Sequence, residues 1–156
     1  MKATELLKQD HDAVKQLFAE FDSSESGEDK LDVFEEIREQ LMIHARIEEE
    51  IFYPAVKKAD SGEAKSEIDE ALQEHQQVKS MLEQLDGMAA EADSEFAATM
   101  RTLSNNVQHH VQEEENEIFA TARQLGDERL EELGERLQQR KEQLMELDPK
   151  EQAAEQ

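Results

Sequence analysis

The chain has 156 residues, no cysteine and a formal charge of −23, from 17 basic and 40 acidic side chains. This length suits one domain with its own core, and the lack of thiols excludes disulfides, thiolate ligands and cysteine nucleophiles. The charge opposes phosphate backbones and anionic bilayers, so no nucleic acid and no membrane is expected as a partner; it reads either as a solubilising coat or as a field that gathers cations.

Met1 to Asp10 contain no apolar signal-peptide core, and no apolar run approaches the roughly 18 residues of a membrane span, so a cytoplasmic location is expected. Leu7, His11, Val14, Phe18 and Phe21 recur at steps of four and three and predict a first helix. Phe34, Ile37, Leu41, His44, Glu48, Ile51 and Ala55 predict a second, with His44 and Glu48 facing inward. Pro54 lacks a backbone N–H and is expected to kink that helix or end it early. Asp60 and Glu63 can form a capping box for a third helix. Its inward face is Ile68, Leu72, His75, Val78, Leu82, Leu85 and Ala89. Asp93 or Ser94 caps a fourth, with the stripe Phe96, Met100, Leu103, Val107, His110, Glu114, Ile118, Ala122 and Leu125. Gly126 ends it. A shorter fifth helix carries Leu130, Leu133, Leu137, Leu144 and Leu147, and Pro149 stops it. No segment carries a strand signal, and the loops are short. The expected fold is all-α: an antiparallel up-down-up-down four-helix bundle with an additional C-terminal helix.

Chain reversal gives the histidines their meaning. The midpoint between His11 and His44 is Gly27/Glu28, between His44 and His75 Ala59/Asp60, and between His75 and His110 Ala92/Asp93. Each falls on or beside a turn-like stretch, so each reversal returns a histidine to the level of the one before. Imidazoles gathered at one level of a bundle form a candidate metal site.

Two segments echo each other: His44-Ala-Arg-Ile-Glu48 and His110-Val-Gln-Glu-Glu114. Residues four apart share a helix face, so imidazole and carboxylate can serve one ion or adjacent ions. Burying Glu48 and Glu114 without a cation or donors would cost several kcal/mol, roughly. Bridging carboxylates between two divalent ions relieve that penalty and reduce ion repulsion. The second segment has a register conflict. Counting back four residues from Phe52 gives Glu48, but counting back from Phe119 gives Glu115. The helical stripe favours Glu114 in a regular helix; the alignment favours Glu115, reached through a π-bulge. Mixed imidazole and carboxylate ligands suit iron or manganese, with zinc as a competitor.

Asp10-His11-Asp12, His44-x-x-x-Glu48 followed by Ile51-Phe52-Tyr53-Pro54, Glu74-His75, and His109-His110 before a glutamate run form an ordered set. On these residues the chain resembles hemerythrin-like proteins of the HHE cation-binding family, over about residues 4–125. The resemblance implies a non-haem di-iron centre in a four-helix bundle. It also implies roles in oxygen binding, oxygen or iron sensing, or the handling of nitric oxide or peroxide. Oxygen-carrying hemerythrins use five histidines, with a His-x-x-x-His pair on the third helix. Here the positions flanking His75 by four are Ala71 and Lys79, and His109 points away from His110 by about 100°. One iron therefore lacks a histidine, and water, Tyr53 or Glu49 is left to fill the gap. That favours redox or peroxide chemistry over reversible oxygen carriage. The ferritin-type Glu-x-x-His pair is absent.

The expected ligands are His11, His44, Glu48, His75, His110 and Glu114 or Glu115, holding two carboxylate-bridged irons, with manganese or zinc as alternatives. The expected partner is a small diatomic or peroxide ligand. The domain is expected over 1–148, with 149–156 as a frayed acidic tail. Two other readings stay open: a sensing or cation-binding module without turnover, and a metal-free acidic interaction bundle. The sequence leaves turnover and oligomeric state undetermined.

Overall fold

A computed structural model describes residues 1–59, 62–88 and 93–147. The capping box at Asp60, the stripe residue Ala89, the stop at Pro149 and the tail 149–156 lie outside them. Among the described residues every element is helical. The first rod is α1 (Ala3–Ser23). The second is α2 (Gly27–Ile47), a π-helical turn (Glu48–Phe52) and α3 (Tyr53–Ala59). The third is α4 (Glu63–Met88). The fourth is α5 (Ser94–Glu113), a second π-helical turn (Glu114–Ile118), α6 (Phe119–Ala122) and a short 3₁₀ turn (Arg123–Leu125). The last is α7 (Asp127–Glu146).

Local chemistry sets the helix starts. Ser26 Oγ accepts a hydrogen bond from Asp29 N at 3.0 Å, and Asp93 Oδ1 accepts from Glu95 N and Phe96 N at 3.1 Å. Such caps contribute about 1 kcal/mol each. Gly126, at φ 88°, reverses the chain between the 3₁₀ turn and α7, in a conformation that a side chain would strain.

The second rod does not stop at Pro54. Helix resumes after the π-helical turn and runs to Ala59. The wider turn resets the register, so Pro54 enters the first turn of α3, where a missing N–H is tolerated. The same turn moves Ile51 off the core stripe to a partly buried position, while Phe52 and Tyr53 take the buried ones.

The four histidines form a layer between two apolar clusters. Leu7, Ile47, Ala71 and Ile118 belong to one cluster and Val14, Ile37, Leu82 and Val107 to the other, one pair flanking each histidine along its rod. Helix α7 extends the first cluster with Leu130, Leu133, Leu137 and Leu144. Truncating such a leucine to Ala costs about 2–5 kcal/mol. Gly134 permits this docking: a Cβ there would lie 1.9 Å from the Met1 carbonyl oxygen.

Candidate metal centre

Each rod delivers one imidazole to the layer, and all four are buried. The second and fourth rods add Glu48 and Glu114, at 0% and 1% exposure. His11, His44, Glu48 and Glu114 offer ligand atoms that lie within 4.8 Å of one another, and so do Glu48, His75, His110 and Glu114. Both carboxylates belong to both groups. Glu48 Oε1 is 3.3 Å from His44 Nε2 and 3.2 Å from His75 Nε2. Glu114 Oε1 is 3.2 Å from His11 Nε2, and its Oε2 is 3.4 Å from His110 Nε2.

These contacts are close but poorly aimed. His11 Nε2, His44 Nε2, His110 Nε2, Glu48 Oε2 and Glu114 Oε1 are buried and make no hydrogen bond. A buried polar atom without a partner costs about 1–3 kcal/mol. Several lone pairs converging on a shared point are what a cation satisfies. The donor set of nitrogen and oxygen therefore fits a pair of divalent cations bridged by two carboxylates.

The opposite edge of every ring is held by an acid. Nδ1 of His44 lies 2.9 Å from Asp10, that of His110 2.9 Å from Glu74, that of His75 2.8 Å from Glu49, and that of His11 2.7 Å from Glu115. An Nδ1–H donated outward fixes the tautomer and leaves the Nε2 lone pair facing inward. Without cations, the acids around His44, His75 and His110 favour protons on those three rings instead. Burial pulls His110 down, but the Glu114 and Glu74 carboxylates more than offset it and raise its pKa to about 10. Burial likewise pulls His44 down, but Glu48 and Asp10 outweigh it and hold the ring well above the usual imidazole range. Glu114 is driven well below the usual carboxylate range despite its burial, by Glu48 and the His11 and His110 rings close beside it.

The register conflict at the fourth rod has a structural answer. The peptide N–H of Phe119 bonds the Glu114 carbonyl across five residues, as that of Tyr53 bonds Glu48. Phe119 thus pairs with Tyr53, not with Phe52, and the two segments align without an insertion. Glu114 occupies the centre, yet in a π-helical turn and not the regular helix expected for it. Glu115, the other candidate, lies at the outer edge of the layer, 2.7 Å from His11 Nδ1. Tyr53 donates hydrogen bonds to Glu114 and Glu48, and burial together with these two carboxylates pushes its phenol well above its usual pKa. Phe119 stacks on His11 at 5.9 Å as Tyr53 stacks on His75 at 5.6 Å.

Phe52, Tyr53 and Phe119 seal one side of the layer, each 2% exposed or less. On the other side a cavity of about 490 Å³ reaches all four imidazoles and runs out between α2 and α4. A smaller one, about 220 Å³, touches His11 between α1 and α5.

The sequence of the Hemerythrin HHE cation binding domain family matches residues 2–122. The chain belongs to the hemerythrin HHE cation-binding family. A crystal structure of a hemerythrin HHE cation binding domain-containing protein from Mycobacterium kansasii superposes with a TM-score of 0.79 at 28% identity, covering 92% of this chain and 87% of that one. A protein of Nostoc sp. named DNA nickase is 32% identical over 123 residues, 79% of this chain. The chain spans about a third of that relative's length, 34%.

Within this HHE domain, sequence reasoning missed the four outer acids as a set. A signal existed. Asp10 and Glu74 directly precede His11 and His75, and Glu49 and Glu115 directly follow the inward glutamates. His109 is exposed and bonded to Glu113 at 2.9 Å; with Glu74 they form a further surface group of ligand type. No helix among the described residues is long and apolar enough to cross a membrane.

Proposed function

We propose that this HHE domain is a non-haem di-iron protein that binds or reacts with dioxygen, peroxide or nitric oxide. The observation that carries this reading is the convergence of unpartnered Nε2 atoms on two shared, buried carboxylates. His11 and His44 would hold one iron, His75 and His110 the other, with Glu48 and Glu114 bridging. Manganese and zinc suit the same donors. Bound iron supplies one-electron redox steps and open coordination positions. Everything else is the work of this chain. The outer acids aim the imidazoles. The bridging carboxylates lower the repulsion between like charges. Tyr53 keeps a proton on its phenol oxygen, within reach of Glu48, Glu114 and His75 Nε2. Phe52, Tyr53 and Phe119 exclude water from one side.

Two histidines and two shared carboxylates give each ion about four protein ligands, which leaves positions for an exogenous ligand. Elemental analysis of protein purified without chelator should find about two irons per chain, with near-ultraviolet charge-transfer absorption. Both should be lost in His44→Ala. Retention of full iron content and spectrum in that variant would defeat the assignment. Consumption of peroxide or nitric oxide by the loaded protein separates turnover from sensing. A nucleic acid partner is suggested only by the name of the longer Nostoc relative, and the charge of −23 opposes it. A gel shift of duplex DNA at low salt would reverse that judgement.

A further inference from the structure

The large cavity is oversized for the ligands named so far. A diatomic or peroxide needs little more than one or two water volumes, roughly 30 Å³ each. The cavity offers about 490 Å³, within the range of roughly 300–1,000 Å³ typical of sites for organic molecules.

Its lining is graded. The floor is the imidazole layer. Above it the wall is apolar, built from Val14, Leu41, Val78, Leu82, Val107 and Val111. Charged side chains complete the lining, and the acids among them are already matched. Asp10 is held by His44 at 2.9 Å and Lys141 at 2.5 Å, and Glu49 by His75 at 2.8 Å. Glu50 is bracketed by Arg46 at 2.8 Å and Arg140 at 2.9 Å. Lys79 is engaged as well. Outside the imidazole floor the lining holds three acids and three bases and so carries no net formal charge, while the surrounding charge of −23 disfavours organic anions. A neutral molecule that is apolar along most of its length fits both conditions.

We propose that this cleft seats the organic part of a neutral alkyl or aryl hydroperoxide, or of the corresponding alcohol, with the oxygen-bearing end at the imidazole layer. This rests on the reading of the layer as a cation centre and narrows its peroxide class to organic members. Binding is all that it requires; no bond forms or breaks in it. Two partly buried residues of the cleft, Ala45 and Val78, lie outside the ligand set and face the space to be filled.

The test uses iron-loaded full-length protein and two probes: azide for the open metal position and cumyl alcohol for the cleft. Ligand-observed NMR and the visible spectrum report each separately. Wild-type protein should bind both saturably. Val78→Phe and Ala45→Phe should keep two irons and azide binding but weaken the alcohol about tenfold or more. Two variants on different helices guard against a local misfold, which circular dichroism and iron content would reveal. Azide binding without saturable alcohol binding in the wild type overturns the cleft proposal and leaves the cation centre intact. Alcohol affinity unchanged in both variants places the alcohol elsewhere and overturns it too. Absence of both iron and azide binding, with the alcohol still held, overturns the function reading instead.

Discussion

The half built from α1 and α2 and the half built from α4 and α5 carry the same parts in the same order. Acid-histidine pairs open each half, at Asp10-His11 and Glu74-His75. A His-x-x-x-Glu segment with a π-helical turn closes each, at His44–Glu48 and His110–Glu114. The ring pairs match as well: His11 and His44 lie 4.9 Å apart at 64°, His75 and His110 4.9 Å apart at 71°. The differences lie outside the repeated parts. Tyr53 of the first half faces the second half's rings, while its counterpart Phe119 brings no hydroxyl. Lys141 of α7 neutralises Asp10, while Glu74 sits beside Glu113 and gains a further negative neighbour. A repeated scaffold thus sets the ligand geometry, and single decorations make the two halves unequal.

Glu48 and Glu114 belong to the ligand groups of both halves, so the largest effect is expected there. Glu48→Ala should remove both cations, from about two per chain to fewer than one by elemental analysis. Loss of one cation alone would show that the halves do not share this residue.

The outer acids separate the halves. Glu115→Gln should weaken the cation at His11, and Glu49→Gln the cation at His75, each about 10–100-fold in chelator competition. Equal losses would support the repeat; a loss in one half only would break it.

Protons probe both halves when cations are removed. The pKa of His110 is raised from 6.5 to about 10 in the folded chain. A raised value adds stability that is fully present below the unfolded value and disappears as pH rises through the folded one. Cation-free protein should therefore melt at falling temperature between about pH 6.5 and 10. Cation affinity should rise over the same window, because fewer protons compete. A melting temperature that climbs across it would contradict a protonated His110 in the cation-free layer.

Lys141→Met should act on one half alone. Removing a positive charge some distance from the His11–His44 cation should tighten that site about fivefold, by simple Coulomb reasoning at intermediate dielectric. It should leave the other site unchanged. Stepwise titration that shifts both sites equally would deny the asymmetry. The smallest effect is expected from Tyr53→Phe, which makes the two halves alike at that position. Cation content should stay the same, with the absorption spectrum altered and cation-free stability changed by about 1 kcal/mol.

Much of this plan was legible in the sequence, for physical reasons. The stripes over Leu7–Phe21 and Phe96–Leu103 are long and regular, so helix and inward face follow from period alone. Short loops then bring the histidines to one height. The π-helical turns were not legible as a pair. Nothing in the local propensity of Glu48–Phe52 or Glu114–Ile118 demands five-residue hydrogen bonds; the packing of Phe52, Tyr53 and Phe119 under the layer selects them. The outer acids were hidden by abundance. Among 40 acidic residues, four that face a ring look like the rest until the neighbouring rod is in place.

The pattern of ring holders has a consequence for assembly. His44 and His110 are steadied by acids from their own hairpin, Asp10 and Glu74. His11 and His75 are steadied by Glu115 and Glu49, each reaching over from the opposite hairpin. A hairpin alone can preset only half of its own donors. Uptake of a first cation at this layer would then double as a report that the two hairpins have clasped.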